Sequence, residues 1–366
     1  MELFTAAEDL KFFNPNQIIK EAVKIPAKSS PVKFFFITLT LILPLSLMQL
    51  LLETHSFILY YIFVDYFYGH EIDHSSPSYK QFIRTYSIHE FFYILSLFLF
   101  SILSTSAIVF TVASLYASKS VSFIPTLFAI PRIFKHLMIT FFYVLLLMIV
   151  NYSAYYIPLY VLASTNINGA LFWGVSIIFA VIYDLVHIYV TAQWHLASVI
   201  SVLEANGYGL AAMKKSTQLL RGRTGIAFGL ASLYLQATWT TEFVFEFTME
   251  SNLHFLVNLL LGFLCLFMLV AVNLTGLLVQ SVFYYACKSH HNQVVDKKVL
   301  YDHLGSYDLG DKAVALNPST GGTEMQSLVK DQERVGYQPV ALNATTESIK
   351  MQRSVKDHDT GGDQNV

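Results

Sequence analysis

The sequence is poor in charged residues. Of its 366 residues, only 13% are Asp, Glu, Lys or Arg, whereas a soluble globular chain carries about one quarter. The shortage is greater still before residue 296, because 19 of the 48 charged residues lie from Asp296 onward. A hydrophobic content of 54% and a mean hydropathy of +0.51 accompany it. We therefore expect an integral membrane protein with a polar C-terminal tail.

Other scarcities narrow the functional classes. The net charge is −2, so no excess of basic residues argues for a nucleic-acid partner. The two cysteines, Cys265 and Cys287, are too few for a disulfide framework. The chain also lacks GxSxG, P-loop, strand-linked GxGxxG, HExxH and CxxC motifs. We therefore predict no enzymatic activity and no cofactor, and no motif of the chain supplies the ligands of a metal site.

Six apolar segments are each long enough to cross a hydrocarbon core of about 30 Å, which takes about 20 helical residues. They lie at about 34–63, 91–118, 137–163, 170–202, 225–247 and 255–287. The predicted fold is therefore all-α, a polytopic membrane bundle of about six transmembrane helices. It would occupy 34–287, between an N-terminal segment at 1–33 and a tail at 288–366.

The basic residues of the connections predict the orientation, because cytoplasmic loops carry an excess of Lys and Arg. Fifteen of them fall on one side of the predicted bundle and only two, Lys80 and Arg84, on the other. Both termini are therefore predicted to be cytoplasmic, in either the endoplasmic reticulum or the plasma membrane. The opposite side carries the acidic, histidine-bearing loop GHEIDHSSPS (69–78).

The fourth predicted span carries a polar face. At 100° per residue, one narrow side of the helix collects five residues and leaves Gln193 pointing away; the five are Asp184, His187, Thr191, His195 and Ser198. Such a stripe should face other helices or a wet cavity rather than lipid. Three interpretations stay open: Asp184 paired with His187 as a structural contact, a proton relay or conduction path, or part of a metal site. Polar partners in other spans include Asn151, Gln236, Asn273 and Gln280.

Two amphipathic segments flank the predicted spans on the basic side. After the Asn206-Gly207 break, GLAAMKKSTQLLRGR sets an apolar side, including Leu210 and Leu220, against basic residues. The candidate contacts to anionic lipid headgroups are Lys214, Lys215, Arg221 and Arg223, each worth about 1 kcal/mol near a negative membrane surface. PNQIIKEAVKIPAK (15–28) has the same character. We predict that both are interfacial helices on the cytoplasmic face.

Three stretches carry a resemblance: IIKEAVKIP, FFFITLTLILPLS and ASVISVLEANGYGLAAMKKSTQLLRGR. Together they resemble a plant family of six-span membrane proteins with no assigned activity, over residues 10 to 290. The cadence from Glu204 to Gly222 is similar, more remotely, to the membrane domain found beside bacterial glycerophosphodiester phosphodiesterases. The resemblance implies a six-span membrane topology. It implies no catalytic residues, since the bacterial chemistry resides in a separate soluble barrel.

The tail is predicted to be disordered, because it is polar and lacks any helical or strand period. It contains a 26-residue repeat in which VALNPSTGGTEMQSLVKD (314–331) matches VALNATTESIKMQRSVKD (340–357) at ten of 18 positions. The repeat is either a neutral duplication or a doubled attachment motif for a cytoplasmic protein partner. Cys287, at the predicted cytoplasmic end of the last span, is a candidate palmitoylation site. These features favour a non-enzymatic membrane scaffold or membrane-organising protein, with a transporter or channel using the polar face as the alternative.

Overall fold

The computed structural model describes residues 9–29, 31–51, 77–117, 123–164, 169–204, 207–250 and 254–293, and all elements within these ranges are helical. After a short 3-10 helix, Asp9–Phe12, eight longer helices follow. They are α1 (Pro15–Ser29), α2 (Pro31–Leu51), α3 (Pro77–Tyr116), α4 (Phe123–Ser164), α5 (Gly169–Leu203), α6 (Leu210–Leu220), α7 (Thr224–Glu250) and α8 (Phe255–His290). The all-α prediction is confirmed for these residues.

Five helical segments are long and apolar enough to cross a membrane. They are Pro31–Leu51, Ser87–Tyr116, Phe134–Ser164, Gly169–Leu203 and Phe255–His290. The predicted fifth span, 225–247, forms α7, whose 27 residues reach about 40 Å at 1.5 Å per residue. From Gln236 onward it carries Glu242, Glu246 and several threonines, and α7 is not among the five. The chain is therefore a multi-pass membrane protein by the length and composition of its helices.

A π-helical turn, Thr38–Ile42, interrupts α2 just before Pro44. Proline has no N–H, and its ring clashes with the carbonyl four residues earlier, which here belongs to Thr40. The wider turn removes that clash, and the N–H of Leu43 donates to the carbonyl of Thr38. The disruption that Pro44 would cause in a regular helix is therefore absorbed as one locally widened turn.

Among the described residues, the helices pack tightly at one end. In α5 and α8 the last three turns are buried, as Val199, Ile200, Val282 and Ala286 illustrate. The first half of each helix instead exposes large apolar side chains, which suits contact with lipid. We call the tightly packed region, where α5 ends at Leu203 and α8 ends at His290, the closed end, and the region where both helices begin the open end.

Helices α1 and α6 pack on the closed end through their apolar faces. Ile18, Ala22 and Ile25 of α1 belong to the buried core, and α1 lies against α8. Leu219 and Leu220 of α6 belong to the same core, where α6 folds back along α5. Part of each face that the sequence assigns to lipid is thus covered by protein, whereas Val23 of α1 and Leu210 of α6 remain 54% and 62% exposed. Of the tail predicted at 288–366, the first residues continue α8 to His290, and the part after residue 293, with its repeat, lies outside the described residues.

Candidate functional site

The polar face of α5 divides between two environments. Thr191 and Ser198 are buried, His187 is 7% exposed, and Asp184 and His195 are half-buried. His187 faces α4 and α7, whereas His195 faces α7 from a position about 12 Å further along the axis. The five predicted residues therefore share a helix face but do not form a single site.

The ring of His187 is enclosed by aromatic side chains. It stacks on Tyr183 at 5.5 Å and on Trp239 at 6.1 Å between ring centroids, and Tyr152 lies 6.2 Å away. Its Nδ1 is 3.5 Å from Nδ2 of Asn151, at the outer limit of a hydrogen bond. Aromatic contacts are worth about 0.5–1.5 kcal/mol each beyond the area that they bury. His187 therefore connects α5 to α4 and α7 mainly by packing.

Asp184 does not take part in that contact. Across the described ranges its carboxylate makes neither a hydrogen bond nor an ion pair, so a direct contact with His187, one of the three open interpretations, is not present, although the charge of Asp184 still acts on His187. The same ranges contain no group of three or more His, Cys, Asp or Glu residues that could hold a metal ion. The structural role expected of the pair thus falls to His187 and Asn151.

His195 opens onto a cavity inside the bundle. The cavity has a volume of about 110 Å³ and lies between α2, α3, α5, α7 and α8. Its lining mixes hydroxyl, amide and ring groups with leucines, and comprises Leu45, Gln49, Leu97, Ser101, Thr105, Trp194, His195, Ser198, Tyr234, Asn273, Gly276, Leu277 and Gln280. The edge of the His195 ring meets Tyr234 at 5.1 Å. We call this space the polar cavity; Asp184, His187 and Thr191 do not line it.

Asn273 ties three helices together beside the polar cavity. The Tyr234 hydroxyl donates to its Oδ1 at 3.1 Å. Its Nδ2 donates to Gln49 Oε1 at 2.6 Å and to Ser46 Oγ at 2.9 Å. Interhelical hydrogen bonds in membranes contribute about 0.6–2 kcal/mol each. Asn273, named from the sequence only as an available partner, is thus a junction of α2, α7 and α8.

The closed end contains a partly buried ion cluster centred on Glu204, the residue directly after α5. Its Oε1 accepts a hydrogen bond from Tyr284 at 2.9 Å and lies 3.0 Å from Nζ of Lys288. Its Oε2 accepts from Lys215 of α6. The side chains of Glu204 and Lys288 are each 16% exposed. We call these four residues the Glu204 cluster; it ties α5, α6 and α8 together.

The Glu204 cluster shifts the acidity of its carboxyl group. Burial raises the pKa of Glu204, but the hydrogen bonds and positive charges of Lys215 and Lys288 lower it by more. The pKa of Glu204 therefore lies below its usual value, and the carboxylate is ionised at neutral pH. Because a carboxylate with two cations and a hydroxyl donor is well paired, the cost of its burial is largely offset.

Two glycines allow the chain to turn beside this cluster. Gly207 donates its N–H to the carbonyl of Glu204 at 3.1 Å, and a Cβ there would lie 2.7 Å from Cγ2 of Ile200. Gly222 has φ +82°, and a Cβ would lie 2.8 Å from Nε2 of His290. The helix break that the sequence predicts at 206–207 lies between the end of α5 at Leu203 and the start of α6 at Leu210.

The four predicted lipid contacts have different surroundings. Lys214 and Arg221 are exposed. Lys215 is paired with Glu204, and Arg223 is 5% exposed and donates to the backbone carbonyl of Lys11. Only the first two side chains are therefore placed to reach a headgroup freely, while Arg223 attaches the N-terminal segment to the loop before α7.

The candidate palmitoylation site is not at the surface. Cys287 is 0% exposed and belongs to the buried core of the closed end. A thiol must be reached by an acyl donor before it can form a thioester. In this arrangement Cys287 is a packing residue.

Sequence reasoning did not identify the Glu204 cluster. Glu204 appears in the sequence as the end of a span, and Lys288 as a flanking basic residue. A usable signal existed, because a carboxylate directly after a 35-residue apolar helix is costly unless it is paired. The sequence alone could not supply the partner, since Tyr284 lies 80 residues away.

Comparison with known proteins gives a family and no activity. No curated protein and no solved structure matches the sequence. A protein-family model described as "Domain of unknown function (DUF8558)" matches residues 3–320, which cover all eight helices. The chain therefore belongs to the DUF8558 family.

Proposed function

We propose that the protein is a non-enzymatic membrane scaffold whose closed end faces the cytoplasm and gathers anionic lipid headgroups. The observation that carries the proposal is the docking of α1 and α6 on the closed end. Both helices use their apolar faces for packing, which leaves basic side chains on the outside, namely Lys20, Lys24, Lys28, Lys214 and Arg221. A surface of fixed shape and positive charge is therefore available at one end of the bundle.

This surface suits lipid headgroups better than a soluble anion. Lys20, Lys24 and Lys28 recur every four residues along α1, so they share one side of that helix. The negative potential of a cytoplasmic leaflet contributes about 1 kcal/mol per basic residue near the surface. Lys24 and Lys28 also lie 3.2 and 4.0 Å from Glu21, which reduces their share. The proposal therefore assigns the largest contributions to Lys20, Lys214 and Arg221.

The orientation is part of the proposal. The distribution of Lys and Arg supports cytoplasmic termini, and it requires α7 to cross the membrane as the fifth of six spans. The resemblance to the plant six-span family, and the more remote one to the bacterial membrane domain, support the same topology. The tail would then lie in the cytoplasm as a disordered chain, where its doubled motif at 314–331 and 340–357 would give a protein partner two attachment points.

The experiment uses the full chain in nanodiscs of neutral lipid, with and without anionic lipid. The anionic lipid should raise the Tm of the wild type, because a ligand that binds the folded state stabilises it. Lys214→Gln with Arg221→Gln should reduce that rise by at least half. The matched control is Arg84→Gln, an exposed arginine on the predicted opposite side, which should leave the rise unchanged. An equal rise in all three proteins would refute the lipid-gathering function.

A transporter or channel is the second candidate, and one observation favours it: the polar cavity contains His195 and Ser198 of the predicted face. The version in which Asp184 and His187 relay protons has less support, because neither residue lines that cavity. Proteoliposomes tested for solute-driven swelling would distinguish the candidates, since a scaffold should leave the permeability of the bilayer unchanged.

A further inference from the structure

An apolar groove runs along the outside of the bundle between α7 and α8. It has a volume of about 260 Å³, and one of its walls is formed by Leu230, Leu233 and Ala237 of α7. The other wall extends along α8 from Met268 to Val279, which is about 16 Å at 1.5 Å per residue. Leu233 is 56% exposed and Met268 is 48% exposed, so the groove faces outward. We call it the α7–α8 groove.

The floor of the α7–α8 groove is formed by Tyr234 and Gly276. Both residues also line the polar cavity, and the Tyr234 ring packs against Gly276, so together they separate the two spaces. The Tyr234 hydroxyl is engaged with the protein, since it donates to Asn273. None of the eleven described residues that line the groove is charged, and the polar ones are Tyr234 and Thr275. An occupant of the groove is therefore held mainly by apolar contacts.

The α7–α8 groove has the depth of one membrane leaflet. On α8, exposed large apolar side chains occur from Phe255 to Met268, and burial by protein is continuous from Gln280 to Cys287. The groove occupies 268–279, between these two parts of the helix and next to the closed end. Its length of about 16 Å matches half of a hydrocarbon core of about 30 Å. Because α8 is long and apolar enough to cross a membrane, the molecule that meets the groove is a lipid chain.

A basic residue lies beside the groove where it meets α1. Ile19 of α1 lines the groove, and the next residue, Lys20, is exposed. Lys24 and Lys28 share the carboxylate of Glu21, whereas Lys20 has neither an ion pair nor a hydrogen bond within the described part of the chain. Anionic headgroups attract basic side chains that lie close to the membrane surface. Lys20 is therefore free to meet the phosphate of a lipid whose chain lies in the groove.

From the apolar lining, the depth of one leaflet and the unpaired Lys20, we propose that the α7–α8 groove binds one anionic phospholipid. An acyl chain of this lipid lies against Leu233, Ala271 and Val272, and its phosphate lies at Lys20. The site rests on the proposed function, because its ligand is one of the anionic lipids that the closed end gathers. It differs in what it recognises, since the groove requires an acyl chain and the basic surface requires only a headgroup.

The test uses the full chain in detergent and measures bound lipid by native mass spectrometry. The probes are phosphatidylglycerol, phosphatidylcholine with the same acyl chains, and glycerol phosphate, which has no acyl chain. Phosphatidylglycerol should give one saturable adduct. Phosphatidylcholine should bind at least fivefold more weakly, because its choline cation offsets the charge of the phosphate. Glycerol phosphate should not displace phosphatidylglycerol, because it has nothing to place in the groove.

Two variants locate the two parts of the lipid. Ala271→Phe fills the groove from α8 and should weaken the binding of phosphatidylglycerol at least fivefold. Its matched control is Ala154→Phe, at an exposed alanine of α4 outside the groove, which should bind as the wild type does. Lys20→Gln should reduce the affinity for phosphatidylglycerol to that for phosphatidylcholine, and the control Arg84→Gln should leave it unchanged. Circular dichroism and gel filtration establish that each variant is folded.

Three results would overturn the proposal. The first is an unchanged affinity of a folded Ala271→Phe variant for phosphatidylglycerol. The second is an unchanged affinity of Lys20→Gln. The third is displacement of phosphatidylglycerol by glycerol phosphate, which would mean that the site takes a free phosphate ester rather than a lipid. Should Ala271→Phe fail to fold, Ala237→Phe fills the groove from the opposite wall and decides the same question.

A failure of the groove would differ from a failure of the proposed function. If Ala271→Phe has no effect but Lys214→Gln with Arg221→Gln reduces the rise in Tm in nanodiscs, the closed end gathers headgroups and the groove is not a lipid site. If the double variant has no effect in nanodiscs but Ala271→Phe and Lys20→Gln each weaken the adduct, the groove binds its lipid and the wider gathering surface is refuted.

Discussion

The ring of Tyr234 rests directly on the backbone of Gly276. A Cβ built on Gly276 would lie 2.8 Å from Cδ2 and 2.9 Å from Cε2 of that ring, closer than carbon atoms approach in folded proteins. The hydroxyl of Tyr234 is fixed at the same time by Asn273 on the same helix as Gly276. The contact between α7 and α8 therefore depends on the missing side chain of a glycine.

Gly276→Ala should destabilise the protein. The added methyl group must push the Tyr234 ring away, and overpacking of this kind costs about 1–3 kcal/mol. Thermal unfolding in detergent, followed by circular dichroism, measures the change. Gly229→Ala on α7 is the control, because nothing lies within 4 Å of its Cβ position. It should be neutral or stabilising by up to about 1 kcal/mol; equal losses in both variants would contradict the packing argument.

Glu204→Gln should lower the free energy of unfolding by about 2 kcal/mol. This is less than the loss of about 3–5 kcal/mol that follows when one partner of a fully buried ion pair is removed. The amide keeps the shape but leaves Lys215 and Lys288 without their counter-charge. Glu21→Gln is the matched control. Its partners Lys24 and Lys28 have side chains 54% and 44% exposed, so its loss should stay below about 1 kcal/mol. A smaller loss at Glu204 than at Glu21 would refute the role of the cluster.

The lowered pKa of Glu204 predicts that the folded protein loses stability in acid. Because the folded pKa of Glu204 is lowered, its contribution to stability is fully present above the unfolded value of 4.5 and is lost as the pH falls through the folded value. The wild type should therefore lose Tm as the pH falls below about 4.5, and Glu204→Gln should lose less over the same interval. Parallel pH profiles for the two proteins would count against this assignment.

His187→Ala should lower the free energy of unfolding by about 2 kcal/mol, because it removes the contacts to Tyr183 and Trp239. His187→Phe should retain most of the stability.

Asp184→Asn and Asp184→Leu should both be tolerated, since the carboxylate has no hydrogen-bond partner within the described part of the chain. Thermal stability of the four variants in detergent makes the comparison. A folded Asp184→Asn variant that abolishes a measurable flux would restore the relay interpretation.

The orientation can be read from glycosylation. Asn343-Ala344-Thr345 is a sequon in the tail and should stay unmodified if the C-terminus is cytoplasmic. Asp73→Asn completes a new sequon with His74 and Ser75 in the loop that is predicted to lie on the opposite side, and this site should acquire a glycan in microsomes. A glycan on Asn343 would reverse the predicted topology. The native sequons at Asn151 and Asn273 fall inside helices of the bundle and should be silent.

Hydropathy was sufficient to predict most of the helices. The predicted span 170–202 agrees with Gly169–Leu203, and 255–287 with Phe255–His290, because the cost of unpaired backbone groups in lipid makes a long apolar run helical. The first predicted span, 34–63, extends beyond the described residues after Leu51. Amphipathicity also located α1 and α6, but it could not distinguish an apolar face that meets lipid from one that meets protein.

The candidate sites were harder to predict, because they depend on distances between helices. The periodicity of α5 placed His187 and His195 on one face, but the neighbours that separate them come from other helices. Gln280 and Asn273 were visible only as isolated polar residues in apolar runs. In the packed bundle, both ends of the Asn273 amide are hydrogen-bonded, whereas Nε2 of Gln280 has no partner among the described residues. The sequence could not predict this difference, because it depends on the neighbouring helices.

The Glu204 cluster also sets an order of events during synthesis. Tyr284 and Lys288 are translated about 80 residues after Glu204, which takes about 4–16 s at 5–20 residues per second. Throughout that interval Lys215 is the one partner of the carboxylate that has been translated. The last helix to enter the membrane therefore closes the cluster. A nascent chain truncated before residue 284 would therefore leave the Glu204 carboxylate with one cation instead of two and without its hydroxyl donor, at the end of an apolar helix.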